Sequence, residues 1–303
     1  MRILMSSLWI AVALTGLAAG CGDDDTTPPP PTDGGPGTDS PVTPTDGAAG
    51  GCESTASNAD RLDAPELRIA SLKIMTPAAL ASTTVLGLLQ GALDEDRFNW
   101  LVALDGAPTT GMGPVSFTTG FGKKNADGSF SFVMGAAPGP GPTDRWDPVM
   151  GMGTMNGEVL TTPTLTDYFT IPIYANDTDV LLELPIRGFE INMATLTDSR
   201  TCVGTRGARA WDTNAGAMSA YLTVEETTAA NIPALMSSLC QLIAGLSGMG
   251  NCDAVAQDTW PTKPDSLCMP SGACTMGGCD PATDCNAWKL TGGLAAQGVE
   301  ITP

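Results

Sequence analysis

Histidine is absent from all 303 residues, and that absence removes more chemistry than any motif present supplies. Without an imidazole there is no Ser-His-Asp or Cys-His nucleophile system, no HExxH metal site and no CxxCH haem attachment. The chain also has no GxSxG turn, no GxxxxGK phosphate loop and no GxGxxG dinucleotide fingerprint. Positive charge is scarce: 14 Lys and Arg stand against 33 Asp and Glu, a formal charge of −19. That balance disfavours nucleic acid and anionic lipid as partners of the folded body, and it keeps such a body soluble. The apolar run from Ile3 to Leu14 falls short of the roughly 20 residues that a membrane-spanning helix needs.

What is present begins with a leader. Arg2, the apolar run and the small residues after it have the order of charged region, apolar region and processing site of an export signal over residues 1–20. The segment closes as Leu17-Ala18-Ala19-Gly20-Cys21. This resembles the lipobox of bacterial lipoproteins, departing from its commonest form in having Ala18 where Leu is usual and Leu17 one place earlier. The resemblance covers only the first 21 residues. It implies a diacylglyceryl group on the Cys21 thiol, cleavage before that residue and acylation of its new amino group. One acyl chain binds a bilayer reversibly and two or more hold firmly, at about 0.8 kcal/mol per buried methylene, so a lipid bilayer is the implied partner. Gly22, rather than Asp, follows the cysteine, which looks like the outer-membrane signal of the best-known sorting scheme. The expected location is therefore exported and membrane-anchored, at the outer membrane or cell surface rather than the inner membrane.

Residues 21–51 join Cys21 to a stretch with six Asp, no Lys or Arg and little that packs, a composition that cannot offset the entropy of ordering. We read it as a disordered tether reaching between about 30 Å as a coil and about 90 Å drawn out. Loss of Arg2 with the leader leaves 14 − 1 = 13 basic residues against 33 acidic ones, a mature charge of −20. Residues 52–303 are long enough for a substantial hydrophobic core. Eight cysteines remain there: Cys52, Cys202, Cys240, Cys252, Cys268, Cys274, Cys279 and Cys285. An even number in an exported chain reads as disulfides. The last four, in a Gly- and Pro-rich stretch, are expected to pair mainly among themselves. Cys240 with Cys252, and Cys52 with Cys202, are the remaining candidates. No CxxC pair or histidine supports a zinc site instead.

Period-two alternation dominates the body: Phe98 to Leu104, Val115 to Phe121, Phe130 to Met134, Phe169 to Ile173, Leu182 to Ile186, Phe189 to Met193 and Met218 to Val224. Asp127-Gly128 between the second and third runs predicts a hairpin. Pro172 and Pro185 predict edge positions or bulges, because proline lacks the ladder donor. Thr76-Pro77 predicts the start of a helix carrying Leu80, Leu86, Leu89 and Leu93, and Asn231 with Pro233 that of a second, ended by Gly245. A further turn is expected at Glu225 to Ala230. The fold class expected is mainly β: an antiparallel β-sandwich or partly closed barrel with two or three short helices and a disulfide-rich C-terminal segment. A β domain to about residue 230 with a separate helical, disulfide-rich tail is the other arrangement.

With imidazole chemistry gone, two carboxylates held either about 5 Å or roughly 6.5 to 9.5 Å apart are the catalytic option left. Glu158, Glu183 and Glu190 lie in or beside strands and could supply such a pair; a solvated sheet face is the commoner place for such acids. Asp177 and Asp179, with Asn176, and Asp144 and Asp147 in a second loop, offer oxygen ligands to calcium, although short polar side chains in loops usually bond their own backbone. No other cofactor is indicated. Trp146, Trp211 and Trp260 sit beside Asp or Pro, where an indole stacks on a sugar or packs at an edge. Lys123 and Lys124 at the hairpin read as solubilising charges. The function expected is a lipid-anchored envelope or surface protein acting as a non-catalytic binding or structural module toward an unknown protein, glycan or apolar ligand. The alternatives are a carboxylate-dependent carbohydrate-active enzyme and a carrier of an apolar ligand. If the cysteines are structural, reductant should lower the melting temperature sharply, since each lost disulfide costs about 2–5 kcal/mol in small domains. Equal melting curves with and without reductant, followed by circular dichroism, would refute that.

Overall fold

The structure, a computed structural model, describes residues 61–135, 146–176, 179–207, 210–232, 236–246 and 287–302, all within one compact unit, Thr45–Pro303. The leader, the tether and the stretch holding Cys268, Cys274, Cys279 and Cys285 lie outside the described residues, as do Cys52 and Cys252. The described part is mainly β, with an antiparallel-dominated sheet and three helices. Its strands are β1 (Glu66–Thr76), β2 (Trp100–Asp105), β3 (Met112–Lys124), β4 (Phe130–Phe132), β5 (Val149–Asn156), β6 (Val159–Thr161), β7 (Tyr168–Tyr174), β8 (Val180–Thr195), β9 (Cys202–Val203), β10 (Gly216–Thr223), β11 (Asn231–Ile232), β12 (Ser237–Ser238), β13 (Ala287–Gly298) and β14 (Ile301–Thr302). The helices are α1 (Thr83–Asp94), α2 (Val224–Ala229) and α3 (Leu239–Leu246).

The pairings run from β1 through β2, β3, β5, β6, β8, β10 and β13 back to β1, a closed cycle of eight antiparallel strands. Long β3 makes closure feasible: Ser116–Phe121 pair with β2, Met112–Thr119 with β5, and Gly122–Lys124 with β4. The hairpin expected at Asp127-Gly128 is the β3–β4 connection. Gly128 has φ 93, a region that glycine enters freely, and Asp127 Oδ1 accepts from the Ser129 N–H at 3.0 Å. β7 pairs only with β8 among the described strands, and Pro185 lies where β8 faces β7, before its pairing with β10 begins at Arg187. Both prolines thus occupy edge positions.

One face of each alternating run except that at Phe130 is buried in a common core. At its centre the Trp100 ring meets Phe189 at 5.1 Å and Phe169 at 5.7 Å, and the two phenylalanines meet at 5.9 Å, edge to face. The Trp100 indole N–H donates to Thr119 Oγ1 at 2.8 Å, and the Thr119 hydroxyl donates to the Leu101 carbonyl at 3.1 Å, so no polar atom of this pair is left bare in the core. Leu101, on the opposite face of β2, is equally buried in a second small cluster with Phe130 and Val299, covered by β4 and β14. Close approach there requires glycine at 122, where a Cβ would stand 2.2 Å from Leu101 Cδ1.

The helices begin later than the sequence suggests. β1 continues through Thr76, which pairs with Thr291 of β13, and the Thr76 hydroxyl donates to the Lys289 carbonyl at 2.8 Å instead of capping a helix. The Thr76–Pro77 peptide is cis, and α1 starts at Thr83 behind an Ser82 cap. Asn231 and Ile232 likewise form a strand, pairing with Ser238 and Ser237. α3 opens instead on a reciprocal capping box: Ser238 Oγ accepts from Gln241 N at 3.2 Å while Gln241 Oε1 accepts from Ser238 N at 3.1 Å. α2, at the turn expected near Glu225, is capped differently: Thr223 Oγ1 accepts from Glu226 N at 3.2 Å and donates its own hydroxyl to the Glu226 carboxylate at 2.7 Å. Replacing Trp100 by Ala is expected to cost about 3–5 kcal/mol in urea unfolding, the range for deleting a large buried aromatic. Leu88→Ala, at a position 68% exposed, should stay within about 0.5 kcal/mol of wild type.

Candidate binding cleft

A cleft of about 400 Å³ opens where the turn after α1, the end of β3 and the end of β7 meet; Glu95, Asp96, Arg97, Lys123, Lys124 and Tyr174 line it. Its floor is organised by Arg68, a buried cation near the start of β1, between Leu67 and Ile69. The Arg68 Nε donates to Asn99 Oδ1 at 2.7 Å, its Nη2 donates to the Leu93 carbonyl at the end of α1, and Nη2 lies 3.0 Å from Asp96 Oδ1. Burial pulls the Arg68 pKa down, opposed by the charges of Asp96 and Asp94. Asp96 sits at φ 55, a left-handed conformation that Asp tolerates better than most residues. This turns its carboxylate back toward Arg68. Its second oxygen pairs with Lys124 Nζ at 2.7 Å. Arg68 and Lys124 also lie 5.5 and 6.0 Å from the Phe130 ring centroid.

The second wall comes from Arg97. It forms an ion pair with Glu95 at 2.8 Å and donates through Nη1 to the Tyr174 carbonyl at 2.9 Å, while Tyr174 N donates back to the Arg97 carbonyl at 3.0 Å. These bonds tie the turn after α1 to β7. The Tyr174 ring lies 5.9 Å from Phe121 at an interplanar angle of 31°, and Phe121 in turn meets Trp146 at 5.5 Å. The Tyr174 phenol is pushed above its ordinary value, first by burial and then by the charge of Glu183, so it stays protonated at neutral pH. Both acids lining the cleft are held in ion pairs, and Lys123 makes no ion pair or side-chain hydrogen bond to the described residues.

The acids singled out from the sequence are not brought together. Glu158 pairs with buried Arg200 at 3.0 Å, and Glu190 accepts from Thr164 and Asn192. Glu183 stands beside Tyr174. Glu183 and Glu190 are 190 − 183 = 7 places apart on β8, roughly 23 Å of extended chain, and Glu158 bonds the backbone of Leu196, roughly 20 Å along the same strand from Glu190. Asp179 is engaged with Asn176 through both its N–H (2.9 Å) and its carboxylate (2.8 Å), a polar turn of the kind that competes with ligation. Asp147 accepts from Gly135 N. Asp144 and Asp177 lie outside the described residues, among which no three acidic, Cys or His side chains are grouped to hold a metal ion. Trp146 packs half-buried against Phe121, Trp211 is half-buried beside its bridge partner Arg206, and Trp260 lies outside the described residues. Cys202 and Cys240 are both fully buried.

Lys124 does more than keep a turn soluble: it neutralises Asp96 alongside Arg68. The residues that sequence reasoning missed are Arg68, Asp96, Arg97 and Tyr174. A signal existed for the first, since an arginine flanked by Leu67 and Ile69 must find a partner if its strand is buried. No family model matches the chain, and no curated protein or solved structure matches it either. Arg68→Met should destabilise the fold by about 3 kcal/mol, the low end for breaking a buried pair, because Lys124 still faces Asp96. Lys124→Met should cost less than about 1 kcal/mol, as for exposed pairs. Equal losses from the two in denaturant titrations would contradict the central place of Arg68.

Proposed function

We propose that the chain is an exported lipoprotein, held in a bilayer through acylated Cys21, whose β domain is a non-catalytic binding module carried on an acidic stalk. The observation that bears most on its role is the state of the cleft: Glu95 is matched by Arg97 and Asp96 by Arg68 and Lys124, leaving an aromatic ring and a cation to meet a ligand. Each carboxylate is already engaged by a protein cation, which leaves it poorly placed to reach a substrate. A carrier of an apolar ligand needs an open interior, and Trp100, Phe169 and Phe189 fill its centre. The closed cycle of strands favours a barrel over a sandwich. Cys202 and Cys240, both buried and both in the disulfide state, favour cysteines that staple the domain, with the cluster from Cys268 to Cys285 as its disulfide-rich end.

Among the described residues no helix is long and apolar enough to cross a membrane. Gly22 after Cys21 supports the outer membrane as the destination. Metabolic labelling with an alkynyl palmitate in a bacterial host should mark the wild-type protein and leave Cys21→Ala unmarked and in the soluble fraction. A Cys21→Ala chain that still sediments with membranes and carries label would overturn lipidation at this residue, and recovery of the wild type in the inner membrane would overturn the sorting part.

A further inference from the structure

We propose that the cleft beside Tyr174 binds a short anionic saccharide, one or a few sugar rings bearing a carboxylate or sulfate. This rests on the binding-module reading and gives that site its ligand class. Of the 14 basic residues in a chain with 33 acidic ones, four converge here. Arg97, Lys123 and Lys124 line the cleft against Glu95 and Asp96, and Arg68 lies beneath. Asp94 beside Arg68 and Glu183 beside Tyr174 temper this excess from the flanks. Inside the cleft, however, one carboxylate, Asp96, is shared by two cations, and Lys123 adds a charge that no described acid balances. Counted with those flanks, four cations stand against four acids, so the cleft is locally neutral on a chain of net charge −19, and Lys123 is its unmatched cation among the described residues.

The walls select among anions. Tyr174, a half-buried lining residue, has its ring 5.9 Å from Phe121, and Phe121 in turn lies 5.5 Å from Trp146, packing that restricts the ring's freedom to turn. A pyranose offers an apolar face to such a ring and polar groups to the rim, the combination of platform and placed charges that small-molecule sites use. The volume, about 400 Å³, falls in the range of about 300–1,000 Å³ for such sites. A long polyanion would run past the few cations into the negative surface. An acyl chain would meet ion pairs on either side of the ring.

The test uses the full mature lipoprotein in detergent micelles, titrated calorimetrically with hexagalacturonate and sialyllactose, then with neutral maltohexaose and with hexaglutamate. At least one acidic sugar should bind, with affinity falling as sodium chloride is raised, and the neutral sugar should bind at least tenfold more weakly. Lys123→Glu, an exposed position whose melting temperature should not move, is expected to weaken binding tenfold or more. Tyr174→Ala should do the same and Tyr174→Phe should restore it, which a merely structural tyrosine would not require. Failure of both acidic sugars to bind, equal binding of maltohexaose, tighter binding of hexaglutamate, or indifference to Lys123→Glu would each overturn the proposal. Cys21→Ala separates the two readings: an unanchored chain that still binds the acidic sugar removes the anchor and leaves the cleft assignment standing.

Discussion

Closure of the strand cycle through the β3–β5 pairing is the constraint on which the rest of the domain depends. Without it β3 and β5 would each offer an open edge, with unpaired donors and acceptors available to another chain. With it, the inward positions of eight strands share one core. The pairing also dictates an unusual sequence in β5, Val149-Met150-Gly151-Met152-Gly153. The methionines face outward, while glycines take inward positions already filled from elsewhere. A Cβ at Gly151 would stand 2.6 Å from Leu165 Cδ2 and 2.8 Å from Phe117, and one at Gly153 would stand 2.8 Å from the Thr161 carbonyl. Those glycines are where neighbouring backbone and rings come in.

The cleft follows from the same closure. Where β5 leaves β3 at Thr119, β4 takes over at Gly122, and the outer face of β2 at Leu101 needs its own cover. Phe130 supplies part of it and places an aromatic ring under both Arg68 and Lys124. A guanidinium in this setting carries a large desolvation cost, which its bonds to Asn99, Leu93 and Asp96 offset. Those bonds also set the direction in which the chain leaves α1 and enters β2, so the charged floor of the cleft and the path of the backbone are settled by one side chain. Arg200 has a comparable part elsewhere, reaching the carbonyls of Leu62, Pro108 and Gly157 from a position 2% exposed.

Much of the sheet was legible from alternation alone. The runs at Val115, Phe130, Phe169 and Met218 are strands, the Asp127-Gly128 turn is a hairpin, and the two prolines mark edges, because these features act over a few residues and depend on backbone chemistry that any neighbourhood preserves. The helix starts were not. Thr76 had the residue type of a cap, but pairing with β13 claimed its hydroxyl, and Asn231 was claimed by β12. The capping box of α3, Ser238 with Gln241, lies beyond Asn231 in the sequence, whereas the Thr223 cap of α2 falls at the turn expected near Glu225. Candidate acids were chosen for lying near strands, yet closure spreads Glu158, Glu183 and Glu190 along β8 and its neighbours instead of gathering them.

Composition excludes imidazole chemistry and sets the acidic balance, and contacts a few residues long set the alternating strands and their local turns. The three-dimensional fold settles that β3 meets β5 and that a buried Arg68 faces Asp96, 96 − 68 = 28 residues away. It also decided that Lys124 and Tyr174 border one cleft. Those arrangements depend on which distant segments share a wall, and period-two patterning specifies which face of a strand is buried without specifying what lies against it.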